Sequence, residues 1–242
     1  MIMKVSCFVP AFSQRRRPQS KLSCWKRSAF LTMSTFALLA SVKCMAAGET
    51  IDSSAQRIGS GSPIRGKEKS DAGRCQECHG IDGISTDAKV PNHAGQYAGY
   101  LVKQLKNFQA GERSHQVMTI MAEDLTTEDI ADIAAYFASQ KPMQGDEVNR
   151  VNPVAYNLFN SGDQARGIPA CNSCHGVNGK GKITEAVIYP MIGGQREIYL
   201  RGQLVNWKLN ERHNSPEGVM NKVAQLLSED EIDALAYYIS GL

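Results

Sequence analysis

Cys75-Gln76-Glu77-Cys78-His79 and Cys171-Asn172-Ser173-Cys174-His175 are two copies of one pattern, C-x-x-C-H, set 96 residues apart. The stretch downstream of each copy is duplicated as well. Pro91 is followed by Gly95-Gln96, Tyr100-Leu101, Gln104-Leu105 and Arg113, and at identical offsets Pro190 is followed by Gly194-Gln195, Tyr199-Leu200, Gln203-Leu204 and Arg212. Further on, Met118, Leu125, Ile130 and Tyr136 have the same mutual spacing as Met220, Leu227, Ile232 and Tyr238. Coincidence does not generate so many equal intervals, so the chain holds two copies of one unit of about 90 residues. The join falls in Lys141–Pro153, punctuated by Pro142, Gly145 and Pro153.

Upstream of the repeat the composition changes. Residues 1–47 carry eight basic side chains and no acid, and the basic stretch to Arg27 gives way to an apolar run, Ala29–Val42, and then to the small residues around Ala46 and Ala47. Those are the three parts of a secretory signal, with cleavage expected near Ala47 and export of the mature chain. A retained anchor is the alternative, but the apolar run falls short of the ~18–20 residues that cross a bilayer. The formal charge of +3 over 242 residues is a product of this leader. Without it, 19 basic side chains face 24 acidic ones, which does not suit a nucleic-acid partner. The composition also excludes collagen, a disordered tail and a polytopic membrane protein.

Cys7, Cys24 and Cys44 lie in the leader, so the exported chain keeps four cysteines, all inside the two motifs. C-x-x-C-H reads as covalent attachment of a c-type haem: Cys75 and Cys78, and again Cys171 and Cys174, add to the vinyl groups of one haem each. His79 and His175 are then held beneath the irons as proximal ligands. A thioredoxin-like dithiol would need a βαβ pattern, which is lacking, and a zinc ribbon would need its two pairs about 15–20 residues apart. Four cysteines in an oxidising compartment could also form two disulfides, but the C-x-x-C-H spacing says otherwise.

The apolar spacing predicts an all-α fold. Tyr97, Leu101, Leu105 and Phe108 share a helical face, repeated by Leu200, Leu204 and Trp207. Ile130, Ile133, Ala134 and Phe137 form a second stripe, answered by Ile232, Leu235, Ala236 and Ile239. Thr126 with Asp129, and Ser228 with Glu231, have the spacing of a capping box. Ile64–Arg74 reads as a poor helix because of Gly66 and Gly73, and Val154–Asn160 as a better one. For the sixth iron ligand, the repeat pairs Met118 with Met220, whereas Met121 pairs with Val223 and is expected to be core. Met143 and Met191 lack counterparts and read as apolar filling, while His93, His115 and His213 read as loop or surface residues. Pro91 and Pro190 are the segments expected to supply a carbonyl to the second nitrogen of each proximal histidine.

These residues resemble the cytochrome c4 family of exported di-haem electron carriers. The likeness rests on the paired C-x-x-C-H motifs, the Pro-x3-Gly-Gln turns, the late methionine of each unit and the closing helices. It implies two tandem class-I cytochrome c-like domains, 63–141 and 154–242, after a signal peptide (1–47), a flexible N-terminal segment (48–62) and with a linker (142–153) between them. It also implies two covalently bound haem c groups, ligated by His79 and Met118 and by His175 and Met220. A chain of this kind carries single electrons and is not an enzyme. Its donor would be a quinol-oxidising complex and its acceptor a haem–copper terminal oxidase, with peripheral membrane association left open. The other functions weighed are a cytochrome subunit of a dehydrogenase complex and a di-haem peroxidase-like enzyme.

Overall fold

The computed structural model describes residues 53–146 and 150–242. The predicted signal peptide lies outside the described residues. The first repeat contains α1 (Ser53–Ile58), α2 (Pro63–Ala72), α3 (Cys75–His79), α4 (Ala98–Gln109), α5 (Met118–Glu123) and α6 (Thr127–Ser139). The second contains α7 (Pro153–Asn160), α8 (Cys171–His175), α9 (Glu197–Lys208), α10 (Val219–Leu226) and α11 (Glu229–Ser240). A two-residue antiparallel ladder, β1 (Lys182–Ile183) with β2 (Ile188–Tyr189), is the only sheet among the described residues. No helix among them is long and apolar enough to cross a membrane.

Helix starts obey their sequence signals. Both predicted capping boxes form, Thr126 with Asp129 at α6 and Ser228 with Glu231 at α11. Ser62 and Asn152 cap α2 and α7, each ahead of a proline whose missing N–H would have had no partner in the first turn. The predicted stripes supply the cores. Leu101, Ile133, Ala134 and Phe137 are buried together in the first unit, and Leu200, Ile232, Leu235, Ala236 and Ile239 in the second. Each fully buried aliphatic or aromatic side chain of this kind contributes roughly 1.5–3 kcal/mol.

Two expectations about the entry to the first domain are corrected. The 48–62 stretch is not wholly flexible: Ser53–Ile58 is helical, and the chain after it packs on α6. A Cβ on Gly61 would sit 2.1 Å from the Ala131 carbonyl oxygen, and the Ser62 N–H donates to the buried Asp132 carboxylate at 2.7 Å. Nor is the helix after Pro63 weak. Gly66, read from sequence as an interruption, is the point where α2 and α6 cross, and a Cβ there would stand 1.9 Å from the Asp132 carbonyl oxygen. The missing side chain is what permits the approach. Gly66→Ala is therefore expected to cost about 3 kcal/mol through overpacking. Gly202→Ala, at a helical position where an added Cβ meets nothing, should be neutral or slightly stabilising. Chemical denaturation of the two variants checks the contrast.

The two repeats differ by two short insertions. The segment from His175 to Pro190 is three residues longer than that from His79 to Pro91, and the ladder β1–β2 holds the excess. The segment from Arg212 to Met220 is three residues longer than that from Arg113 to Met118, and a 3-10 turn, Pro216–Gly218, absorbs it. The start of the linker is packed between the repeats. Met143, buried as expected of filling, donates its N–H to Ala94 of the first unit, while Gly145 donates to Leu242 of the second.

Candidate functional site

Each C-x-x-C-H motif forms a single helical turn, α3 or α8, which brings its two cysteines and its histidine to one side. Gly80 and Gly176 end these turns at φ 81° and 75°. A Cβ on Gly80 would also strike the Ile84 carbonyl oxygen at 2.1 Å, so a glycine is required on both counts. The four cysteines are unpaired thiols, so the disulfide reading has no geometry behind it. Burial pushes Cys171 up to about 11 and raises Cys75, the reverse of an activated redox dithiol. No group of three or more His, Cys, Asp or Glu among the described residues forms a metal-binding cluster, which leaves a zinc site without a donor set.

His79 and His175 are held alike. The Nδ1 of His79 lies 2.9 Å from the carbonyl oxygen of Pro91, and that of His175 lies 2.9 Å from the carbonyl oxygen of Pro190. These are the carbonyls nominated from the repeat. A carbonyl only accepts, so each Nδ1 carries the proton and each Nε2 keeps a free lone pair. Burial lowers the pKa of both imidazoles and favours this neutral form.

Met118 is the first residue of α5, and Met220 lies in the first turn of α10; both are half-buried. Their backbone N–H groups are capped from the preceding loop, Met118 by His115 Nδ1 at 3.3 Å and Met220 by Ser215 Oγ at 3.2 Å. Met121 is not core: it is 40% exposed, because Ala122 takes the inward position on that turn. His93 is likewise no surface residue. Its ring stacks on His79 with centroids 4.0 Å apart and meets Phe137 edge-on at 5.5 Å. Counted from the prolines, His93 takes the place of Ile192, which packs on the second core; that correspondence was the available signal. Burial drives the His93 imidazole well below its ordinary range. His213 and His115 are exposed, as expected, although the cap that His115 provides was not foreseen.

Between the repeats lies a reciprocal set of contacts. Arg113 donates to Gln104 at 2.8 Å in its own unit, and to Gln203 at 3.0 Å and Tyr199 at 3.1 Å in the other. Arg212 mirrors it, donating to Gln203 at 2.6 Å, Gln104 at 3.0 Å and Tyr100 at 3.2 Å. Each guanidinium also covers an aromatic face, Phe108 at 4.7 Å and Trp207 at 4.3 Å. This pattern, in which each partner repeats the other's contact, is the mark of twofold pairing. Burial alone would raise the Tyr199 phenol, but the charges of Arg113 and Arg212 overcome it and lower the pKa. Neither arginine pairs with a carboxylate among the described residues, although Arg212 is only 6% exposed. A buried cation that meets only neutral oxygens is suited to an anionic group the polypeptide does not supply.

The residues present thus fit a pair of haem c groups: two thiols and a neutral imidazole on each turn, a thioether in each unit, and two guanidiniums free of carboxylate partners for the haem carboxylates. Comparison with known proteins agrees. The family model described as cytochrome c matches residues 64–141 and again 162–242. Cytochrome c4 of Pseudomonas aeruginosa is 38% identical over 169 residues, covering 69% of this chain and 83% of that one. The thiosulfate dehydrogenase electron acceptor of Stutzerimonas stutzeri is 33% identical over 172 residues, covering 69% of this chain and 78% of that one. The crystal structure of reduced recombinant cytochrome c4 from Pseudomonas stutzeri superposes with a TM-score of 0.70 at 36% identity, covering 76% of this chain and all of that one. An all-α chain with two tandem cytochrome c domains, two covalently bound haem c groups and this likeness belongs to the cytochrome c4 family of di-haem electron carriers.

Proposed function

We propose that this chain shuttles single electrons in the periplasm, from a quinol-oxidising respiratory complex to a haem–copper terminal oxidase. In this reading Cys75 and Cys78 attach one haem and Cys171 and Cys174 the other, with His79 and Met118 on the first iron and His175 and Met220 on the second. Haem bound in this way supplies a one-electron iron couple whose potential a thioether raises relative to a second imidazole. The polypeptide does the rest. The proline carbonyls fix each imidazole tautomer and aim each Nε2, the buried stripes of α4, α6, α9 and α11 exclude water, and Arg113 with Arg212 offers charge to the haem carboxylates. Were His79 with Met118 and His175 with Met220 to hold the two irons, no coordination position would be left for a substrate, which is why a carrier is favoured over a peroxidase.

The observation that carries this reading is the matched pair of imidazole-to-carbonyl hydrogen bonds at 2.9 Å, one per repeat. The purified mature protein should show two c-type haems per chain by pyridine haemochrome and, when ferric, the near-infrared band of iron–thioether bonding. High-spin ferric iron at half the haem, or carbon monoxide uptake without mutation, would count against it. A second reading has its own support in the likeness to a relative named as an electron acceptor of thiosulfate dehydrogenase. Here the donor is a dehydrogenase rather than the quinol-oxidising complex. Stopped-flow reduction by each donor class separates the two.

A further inference from the structure

Each histidine is tied to the opposite domain through one peptide group. The peptide between Pro91 and Asn92 accepts from His79 Nδ1 on its carbonyl and donates its N–H to Gln195 Oε1 at 2.7 Å. The peptide between Pro190 and Met191 accepts from His175 Nδ1 and donates its N–H to Gln96 Oε1 at 2.9 Å. Each glutamine closes the pair with its amide. Gln195 Nε2 donates to the Asn92 carbonyl at 2.9 Å, and Gln96 Nε2 donates to the Met191 carbonyl at 2.8 Å. Gln96 and Gln195 are 3% and 5% exposed, so water does not compete for these bonds.

We propose that Gln96 and Gln195 are crossed positioning residues: each sets the donor strength of the other domain's histidine through a single polarised peptide. An amide whose N–H is hydrogen-bonded carries more negative charge on its oxygen and becomes a better acceptor. The better acceptor draws the Nδ1 proton and strengthens Nε2 as a donor, which favours the ferric state and lowers the potential. Gln195 therefore acts on the His79 haem and Gln96 on the His175 haem, so correct docking of the domains tunes both centres. This rests on His79 and His175 being the iron ligands.

The test is the midpoint potential of each haem in the full-length holoprotein, each followed by the NMR signal of its own axial methionine methyl. Gln195→Leu should lower the ferric-to-ferrous ratio of the His79 haem about threefold at fixed applied potential, an upward shift of about 28 mV at 59 mV per tenfold. The His175 haem should stay where it was. Gln96→Leu should give the mirror image. A shift at the mutated domain's own haem, equal shifts at both haems, or no shift would overturn the proposal. Failure of the ligand reading shows separately, as loss of the iron–thioether band in the unmutated protein.

Discussion

Met220→Ala is expected to turn the second haem from a closed, low-spin centre into one that binds carbon monoxide, and to lower its potential by ~0.2 V or more within the ~0.8 V that axial ligands span. A thioether is a soft donor that favours ferrous iron, and alanine supplies no donor at all, so water or an added ligand takes the position. The fold should survive, because Met220 is half-buried and lies in the first turn of α10 rather than in the core formed by Leu200, Ile232 and Leu235. The first haem should be unaltered, since the sulfur proposed for it is that of Met118, on α5 in the other repeat. Met118→Ala should reproduce the effect there. Met121→Ala should leave both spectra unchanged, because that side chain is 40% exposed and the repeat pairs it with Val223. Near-infrared absorption and carbon monoxide difference spectra read all three. Spectra that stay the same in Met220→Ala and change in Met121→Ala would mean that the sulfur donors are misassigned.

Much of this site was legible in the sequence because its chemistry is local. Two thiols and an imidazole within five residues need only one helical turn to come together. The equal offsets after Pro91 and Pro190 also carried enough register to predict the carbonyl that each histidine meets. The capping boxes and the helical stripes are equally short-range. Legibility failed wherever the meaning of a residue depends on what the other end of the chain brings to it. Gly66 looks like a helix breaker until Asp132 is seen against it. His93 looks like a loop histidine because imidazole is polar, although its place in the repeat is that of Ile192. Gln96, Gln195, Arg113 and Arg212 were visible as matched positions, but their partners lie about a hundred residues away in the other domain. Spacing within one repeat cannot say that a side chain reaches across.

Arg212→Leu is expected to destabilise the holoprotein by about 3–5 kcal/mol, the cost of removing one partner from a buried ion pair. The figure depends on what the guanidinium faces. Within the polypeptide its partners are neutral: Gln203, Gln104, Tyr100 and the side chain of Asn214. Losing those alone would cost far less, because leucine fills space over Trp207 and the desolvation penalty of a buried cation disappears with the cation. A large loss therefore requires haem carboxylates left behind without their counter-charge. The same argument fixes a sign with pH. A carboxylate that loses its cation has a raised pKa and takes up a proton as the pH falls toward neutrality and below. The added positive charge favours ferrous iron, so the potential should rise with falling pH in Arg212→Leu and stay nearly level in the parent. Arg212→Lys, which keeps the charge without the forked geometry, should recover the flat pH profile more fully than the stability. Denaturant unfolding together with potentiometry across the acidic-to-neutral range measures both. A small loss of stability with no pH slope would make Arg212 a packing residue of the domain interface and leave the haem carboxylates to solvent.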